Sequence, residues 1–316
     1  AQAAQQQRLL EPFFHLPFIG MAVRSAADGR WLRFNDRLCE ILGYTREEIA
    51  RTTWSEVTHP DDRLGDEQAL YEMLQGGSDG YEIEKRLLHK NGSIVHCHVD
   101  VKCVRGPDGR IDHFLHTVDD ITERKAAERG LMTISRYYAA LSQCDEAIVR
   151  CTRESELFPA VCEAVVSVAG AGLAWVGMAD PRTRQLVAVA QAGTGADYLR
   201  GLHVSTDPAQ ASADRPEARA ILDQRACWID GTFEDGAPAA WREQVAAFGW
   251  NSAAALPLLR GGQAIGVLTI YLSEPDGLHD RVRKLLAKIA ENISFALDVL
   301  AREAERGAAI DALQRS

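Results

Sequence analysis

The segment HTVDDITERKAAE, residues 116–128, places the strongest constraint on how this 316-residue chain folds. A strand-like run from His116 to Val118 passes there into a charged helix, and patterned sequence starts again beyond it. A strand that closes one sheet beside the start of new structure implies two folded units and a joint between them. At that position the joint is expected to be regulatory.

Length and composition agree with two units. The chain is about twice the usual single-domain size, and its 46% hydrophobic content can build two cores. The formal charge of -10 comes without a basic block, so nucleic acid and anionic membrane are disfavoured as partners, and a protein or small molecule is expected instead. No segment approaches the roughly 18 consecutive apolar residues of a membrane span, and AQAAQQQRLL lacks the hydrophobic core of a secretory signal. No membrane insertion and a cytoplasmic location are therefore expected. The cysteines at 39, 97, 103, 144, 151, 162 and 227 are odd in number with no CxxC pair, and read as reduced core residues.

A short polar helix is expected over residues 1–17, and Phe18 to Arg24 reads as a strand followed by an AADG turn and Trp31 to Phe34. NDRLCEILGYTREEI reads as two helical turns, a stop at Gly43 and a restart at Thr45, with Glu48 as its reciprocal capping partner. His59 to Asp62 precede a helix from about Arg63 to Gln75, with Asp61 or Asp62 as its cap. Three strands follow, Tyr81 to His89, Ser93 to Arg105 and Arg110 to Val118, joined by KNG and GPDG turns whose Asn and Gly tolerate left-handed backbone angles.

The order of NDRLCEILGY, HPDD, EKRLLHKNGSIV, GPDGRI and DITERK resembles a PAS sensory domain. The resemblance implies a five-stranded antiparallel sheet around a small cavity, over residues 18–122. Alternation along the second long strand places Cys97, Val99, Val101 and Cys103 on one face and His96, His98 and Asp100 on the other. Apolarity turns the first set inward. Phe114, His116 and Val118 are expected to face the same cavity, so its candidate residues are Cys97, Val99, Val101, Phe114 and His116. For His116 two readings stand: a neutral imidazole satisfied by a neighbour, or a ligand contact. His96 and His98 project together as a metal pair would, but an exposed row needs polar residues anyway and no third ligand is assured, so no metal is expected.

The cofactor is left unknown. The photoactive flavin relatives carry a reactive cysteine where this sequence has Thr53, within TTWS, so covalent flavin photochemistry is disfavoured. Haem-binding relatives use a histidine on the long central helix, which has none from Leu64 to Gln75. Haem stays open only through an unexpected ligand such as His116.

Beyond Asp120 and Thr122, a connecting helix over 123–152 carries apolar residues at Leu131, Ile134, Tyr138, Leu141 and Ile148. That spacing can pair two parallel helices or cover the neighbouring domain. Asp145 falls where the next seam residue belongs. It reads either as a polar defect that lets paired helices change register, or as a solvent-facing residue on a bent helix. These eight residues are the expected signal relay.

In the second unit ESELFPAVCEAVVSVAG reads as an amphipathic helix, and GLAWVGMADPRTRQLVAVAQAG as two strands around a DPRT turn. Cys227 to Ile229 reads as a short strand, Trp241 to Phe248 as a helix, SAAALPLLRGGQAIGVLTIYL as a hairpin, and Asp280 to about Gln314 as helix. This is an α+β pattern. ELFPAVCE, GLAWVGMADP, ARAILDQRACWID, SAAALPLLRGGQAIGVLTIY and ENISFALD resemble a GAF sensory domain, over 153–300, with 301–316 as an output helix. The resemblance implies a six-stranded antiparallel sheet beneath a lid, here Gly193 to Ala218. Its cavity candidates are Tyr198, His203, Asp207, Trp228, Asp230 and Trp241. The cyclic-nucleotide signature NKFDE is absent, and no cysteine-histidine neighbour pair supports bilin attachment.

Tandem PAS and GAF regions of this kind accompany GGDEF cyclase domains, sometimes with an EAL phosphodiesterase domain, in bacterial cyclic di-GMP signalling. The resemblance therefore implies a non-catalytic sensory and dimerisation region. It would relay ligand or redox state to a C-terminal output lying outside this chain, with a parallel homodimer as the working form. Two other readings are a ligand-free dimerisation scaffold and a cysteine-dependent enzyme built on Cys227, His203 and Asp207. In the last helix Leu285, Leu286, Ile289, Ile293, Leu297 and Leu300 form the packing stripe.

Overall fold

The short helices of the first unit start where side chains satisfy the backbone N–H groups that every helix leaves unpaired at its beginning. The computed structural model describes residues 11–75, 78–230, 243, 245, 247–274 and 277–315. Asn35 caps α1 (Asp36–Leu42) through Oδ1, which accepts from Leu38 N at 3.1 Å and Met21 N at 2.9 Å, while Nδ2 donates to the Phe14 and Ile19 carbonyls. One buried amide thus ties the helix to the first strand. Gly43 ends α1 at φ 71°, and a β-carbon there would collide with the His89 ring, so glycine is required twice over.

The reciprocal capping box of Thr45 and Glu48 opens α2 (Arg46–Ile49), and Thr53 with Glu56 forms a second for α3 (Trp54–Val57). Helix α4 (Pro60–Leu74) begins earlier than expected, because Pro60 occupies its first position and His59 caps it. Asp61 and Asp62 therefore lie inside the first turn. Asp62 accepts instead from the Arg86 backbone N–H at 2.7 Å and from its guanidinium at 2.6 Å, and this pairing holds its carboxyl down at about 2. Of the helix expected over 1–17, residues 11–14 are helical, 15–17 are not, and 1–10 lie outside the described residues.

The strands β1 (Gly20–Ser25), β2 (Trp31–Phe34), β3 (Gly80–Leu88), β4 (Ile94–Arg105) and β5 (Ile111–Asp120) form an antiparallel sheet in the order β2-β1-β5-β4-β3. Register carries one inward row from Ala22 through His116 and Val101 to Tyr81, and the next from Arg24 through Phe114 to Cys103. Leu38, Ile41, Leu42, Ile49, Trp54 and Met73 close over this face.

Helix α5 (Thr122–Arg150) contains the division between two compact units, Ala1–Arg129 and Gly130–Ser316. Its buried stripe in the second unit is Tyr137, Ala140, Cys144 and Ala147, whose small members let the helix approach the core closely. Ile134, Leu141 and Ile148 flank that stripe, whereas Leu131 and Tyr138 are 65% and 59% exposed.

The second unit adds α6 (Glu154–Ser167), β6 (Leu173–Ala179), β7 (Leu186–Gly193), α7 (Ala196–Arg200), α8 (Pro216–Leu222), β8 (Cys227–Ile229), β9 (Ser252–Arg260), β10 (Gln263–Leu272) and α9 (Asp280–Arg315). Its antiparallel sheet runs β7-β6-β10-β9-β8, five strands among the described residues where the resemblance implied six. Helices α5, α6 and α9 cover one face with the largest core, and α7, α8 and the loop between them cover the other. Alternation sorts neighbours between faces: Ala174 and Val176 pack on the helices, Leu173 and Trp175 on the lid. Leu285, Leu286, Ile289, Ile293 and Leu297 of α9 are buried and Leu300 partly so, while the described residues 302–315 are exposed. Of the helix expected from Trp241 to Phe248, residues 243, 245 and 247 are helical, and Trp241 lies outside the described residues.

Candidate functional site

Inside the first sheet, inward residues that alternate with apolar neighbours include four polar side chains: Arg24, Tyr81, Lys85 and His116. Cys97, Val99 and Val101 are fully buried, Phe114 nearly so, and they supply the apolar floor. Asp66 of α4 is the polar hub. Lys85 Nζ lies 2.6 Å from its Oδ1, Tyr81 Oη donates to the same oxygen at 3.1 Å, and Trp54 Nε1 donates to Oδ2 at 3.0 Å. Lys85 also sits over the Trp54 ring at 4.5 Å. Burial pulls its ammonium down to about 8 against the opposing pull of Asp66, leaving it largely charged at pH 7.

His116 is 1% exposed, and among the described residues neither ring nitrogen has a hydrogen-bond partner. Its imidazole packs against Trp54 at 4.9 Å and edge-on to Trp31 at 6.4 Å. Burial, followed by the charges of Arg24 and Lys85, holds it down at about 3, so it is neutral at pH 7. The two indoles pack beside the ring. A cleft of about 230 Å³ does open next to this cluster, with Arg24, Trp54, Asp66, Leu70 and Tyr81 among its walls.

The strand-to-helix joint is built by the DITERK motif. Asp120 Oδ1 accepts from Thr122 N at 3.0 Å, as a capping side chain does, and Thr122 Oγ1 accepts from His96 N at 3.0 Å. Ile121 N donates to the His96 carbonyl. Arg124 Nη2 and Lys125 Nζ reach Glu84 on β3 at 2.9 and 2.5 Å, and these partners hold its carboxyl down at about 2. His96 lies near Arg129 at 3.5 Å, while His98 faces Glu82. Among the described residues no group of three or more His, Cys, Asp or Glu side chains is placed to hold a metal ion.

In the second unit the lid delivers a polar chain to the sheet. Arg215 Nη2 donates to Tyr198 Oη at 2.6 Å, the Tyr198 and Tyr271 hydroxyls share a bond of 2.9 Å, and Tyr271 Oη donates to Glu217 Oε1 at 2.8 Å. Arg215 Nε lies 3.5 Å from the other Glu217 oxygen, and Glu217 is fully buried. Trp250 stacks on Tyr271 at 4.7 Å and on Phe248 at 4.7 Å.

Of the second unit's sequence-derived candidates, only Tyr198 joins this chain of contacts among the described residues. His203 is exposed, and Asp207 pairs with Arg184 at 3.6 Å on the loop. Trp228 packs on the helix face of the sheet, under the Arg283 guanidinium, and Asp230 contacts the same Arg283. Asp145 is exposed and accepts from Asn292 of α9 at 2.6 Å. Sequence reasoning missed Glu217, Arg215 and Tyr271 here, and Arg24, Asp66 and Lys85 in the first unit.

Four cysteine environments oppose nucleophilic chemistry. Burial pushes the thiols of Cys97, Cys144 and Cys162 up to about 12, and that of Cys227 up as well, so each stays protonated near neutrality. Among the described residues, no helix is long and apolar enough to cross a membrane.

Known proteins share these two architectures. Residues 32–118 match the PAS fold and residues 151–298 the GAF domain. The probable diguanylate cyclase DgcE of Escherichia coli (strain K12) is 36% identical over 111 residues, which cover 35% of this chain and 10% of that protein. The sensor histidine kinase TmoS of Ectopseudomonas mendocina is 27% identical over 169 residues, covering 50% of this chain and 16% of the relative. A methyl sulfide methyltransferase-associated sensor of Methanosarcina acetivorans is 23% identical over 257 residues, covering 74% of this chain and 23% of the relative. The chain thus spans less than a quarter of the length of these curated relatives. With matching sequence and the two antiparallel sheets in agreement, it consists of a PAS domain and a GAF domain in tandem, as in the sensor regions of signalling proteins.

Proposed function

We propose that this region senses a small molecule or redox state, dimerises in parallel, and passes the result through α5 and α9 to a C-terminal output domain. The observation that carries the reading is the continuity of β5 with α5. The strand whose inward face holds Phe114, His116 and Val118 leads into the helix through Ile121, and Thr122 is bonded to β4 at His96. A ligand that favours one position of β5 thereby favours one position of the helix start, to the extent of its affinity difference between the two states. The similarity to DgcE supports a diguanylate cyclase or phosphodiesterase as the output. Apolar residues exposed on the helices, Leu131, Met132 and Tyr138 on α5 and Ile310 and Leu313 on α9, support pairing with a second copy.

Light scattering on the 316-residue chain tests the dimer. A mass of twice 34.7 kDa is expected, and monomer alone across a wide concentration range sinks the relay. Mass spectrometry of gently purified protein tests the sensing step. A stoichiometric bound compound supports it, and chains that stay empty through broad ligand screening favour a scaffold.

A further inference from the structure

The cations of the PAS interior are unequally paired. The 230 Å³ cleft is lined by two cations, Arg24 and Arg63, and two carboxylates, Asp66 and Glu67, with Lys85 reaching Asp66 from outside the lining. Lys85 uses Asp66, whose oxygens also accept from Tyr81 and Trp54. Arg24 has no equivalent. Among the described residues it forms no ion pair, its Nε is shut off from solvent without a hydrogen-bond partner, and its guanidinium rests on the Phe114 ring at 4.9 Å. Residues 1–10 and 76–77, the remainder of this unit, contain no Asp or Glu. Arg24 is half-buried, and burial lowers its pKa against the opposing pull of Tyr81 and Asp66, so a closer anionic partner for its guanidinium would be favoured.

We infer that this cleft binds a small monocarboxylate with an apolar body, its anionic end held by Arg24. The inference rests on the sensory reading above and names the ligand class for that site. A guanidinium presents paired N–H donors that match a carboxylate. Trp54, Leu70 and Tyr81 offer an apolar and aromatic wall to the rest of the molecule. The volume would hold roughly eight waters at about 30 Å³ each, which sets the ligand below drug size.

Calorimetric titration of the whole chain with sodium benzoate and sodium butyrate, against benzamide and butyramide as neutral molecules of similar shape, tests this. At least one carboxylate is expected to bind tenfold or more tightly than its amide. Arg24→Gln should abolish that preference while circular dichroism stays unchanged. Glu67→Gln, at the exposed rim, should tighten carboxylate binding severalfold, and keeps the test decisive if the Arg24 variant does not fold. The inference is overturned by equal affinity for acid and amide, by no binding of any probe, by tighter binding of inorganic phosphate, or by carboxylate affinity that ignores both substitutions. Amide binding at full strength would remove the anion while leaving the sensory reading intact. That reading fails instead on the light-scattering and mass-spectrometric outcomes.

Discussion

The two domain interiors each bury charged side chains against a five-stranded sheet, yet they dispose of that charge differently. In the GAF domain Arg215, Tyr198, Tyr271 and Glu217 join one another in a continuous chain beneath stacked indole and phenyl rings. In the PAS domain Lys85 and Asp66 settle one ion pair, while the Arg24 Nε and both His116 nitrogens have no hydrogen-bond partner among the described residues. Buried polar groups are ordinarily paired, and leaving them so costs stability. Both interiors leave neutral groups unmatched, Trp175 Nε1 and Thr269 Oγ1 in the GAF domain as well as His116 in the PAS domain, so what separates them is charge: Arg215 lies beside Glu217, whereas Arg24 has no ion pair among the described residues.

The largest effects that would break this contrast lie in the paired sets. Glu217→Ala leaves Arg215 and Tyr271 buried without their acceptor, and Asp66→Ala does the same to Lys85. Each should cost about 3–5 kcal/mol in denaturant unfolding. A loss below about 1 kcal/mol for Glu217→Ala would mean that the GAF chain of contacts is not structural.

A smaller, pH-dependent effect belongs to His116. Its folded pKa of about 3 lies below the ordinary 6.5, so the unfolded state binds the proton first. The contribution is complete above pH 6.5 and fades as pH falls toward 3, reaching a loss of about 2 kcal/mol by pH 5. His116→Leu should flatten the stability profile over that window and leave stability at pH 7 equal or higher, because two unmatched nitrogens disappear. Urea midpoints that run parallel to wild type from pH 7 to 5 would place the imidazole in contact with water.

The smallest effect is on stability at the joint. Glu84→Gln removes the partner of Arg124 and Lys125 on an exposed surface, where the global unfolding midpoint should not move measurably. Amide exchange at residues 122–126 should nevertheless quicken severalfold, because the first turn of α5 loses its tether. Unchanged exchange would assign the tether wholly to Asp120 and Thr122.

Much of the fold was legible because local chemistry and global fold agree. The KNG and GPDG turns, the Thr45–Glu48 box and the Gly43 stop each act through a backbone angle or a free N–H that sequence reveals directly. Alternation likewise turned Cys97, Val99 and His116 inward. The same parity places Lys85 with Tyr81, Ile83 and Leu87, so its inward position was available to that reasoning, although charge argues for solvent. Asp66 was harder to find, since its helix has no clear apolar face and only the partner on β3 reveals why a carboxylate points in. Glu217 and Arg215 meet Tyr271 across more than fifty residues of sequence, and no local pattern announces such a meeting. The side of α5 that packs on the GAF core was hidden for a related reason: Ala140, Cys144 and Ala147 are too small to dominate a hydrophobic stripe, yet their size is what lets the helix seat.

Between the last residue of β5 at Asp120 and the first of α5 at Thr122 stands only Ile121, which is itself buried. A connection that short has no slack. It offers no loop that could rearrange, so in the proposed relay a displacement of β5 would be carried into the helix start, as along a stiff rod. Two or three glycines inserted after Asp120 would convert the rod into a hinge, and would uncouple the helix from the sheet while leaving every side chain in the PAS interior in place.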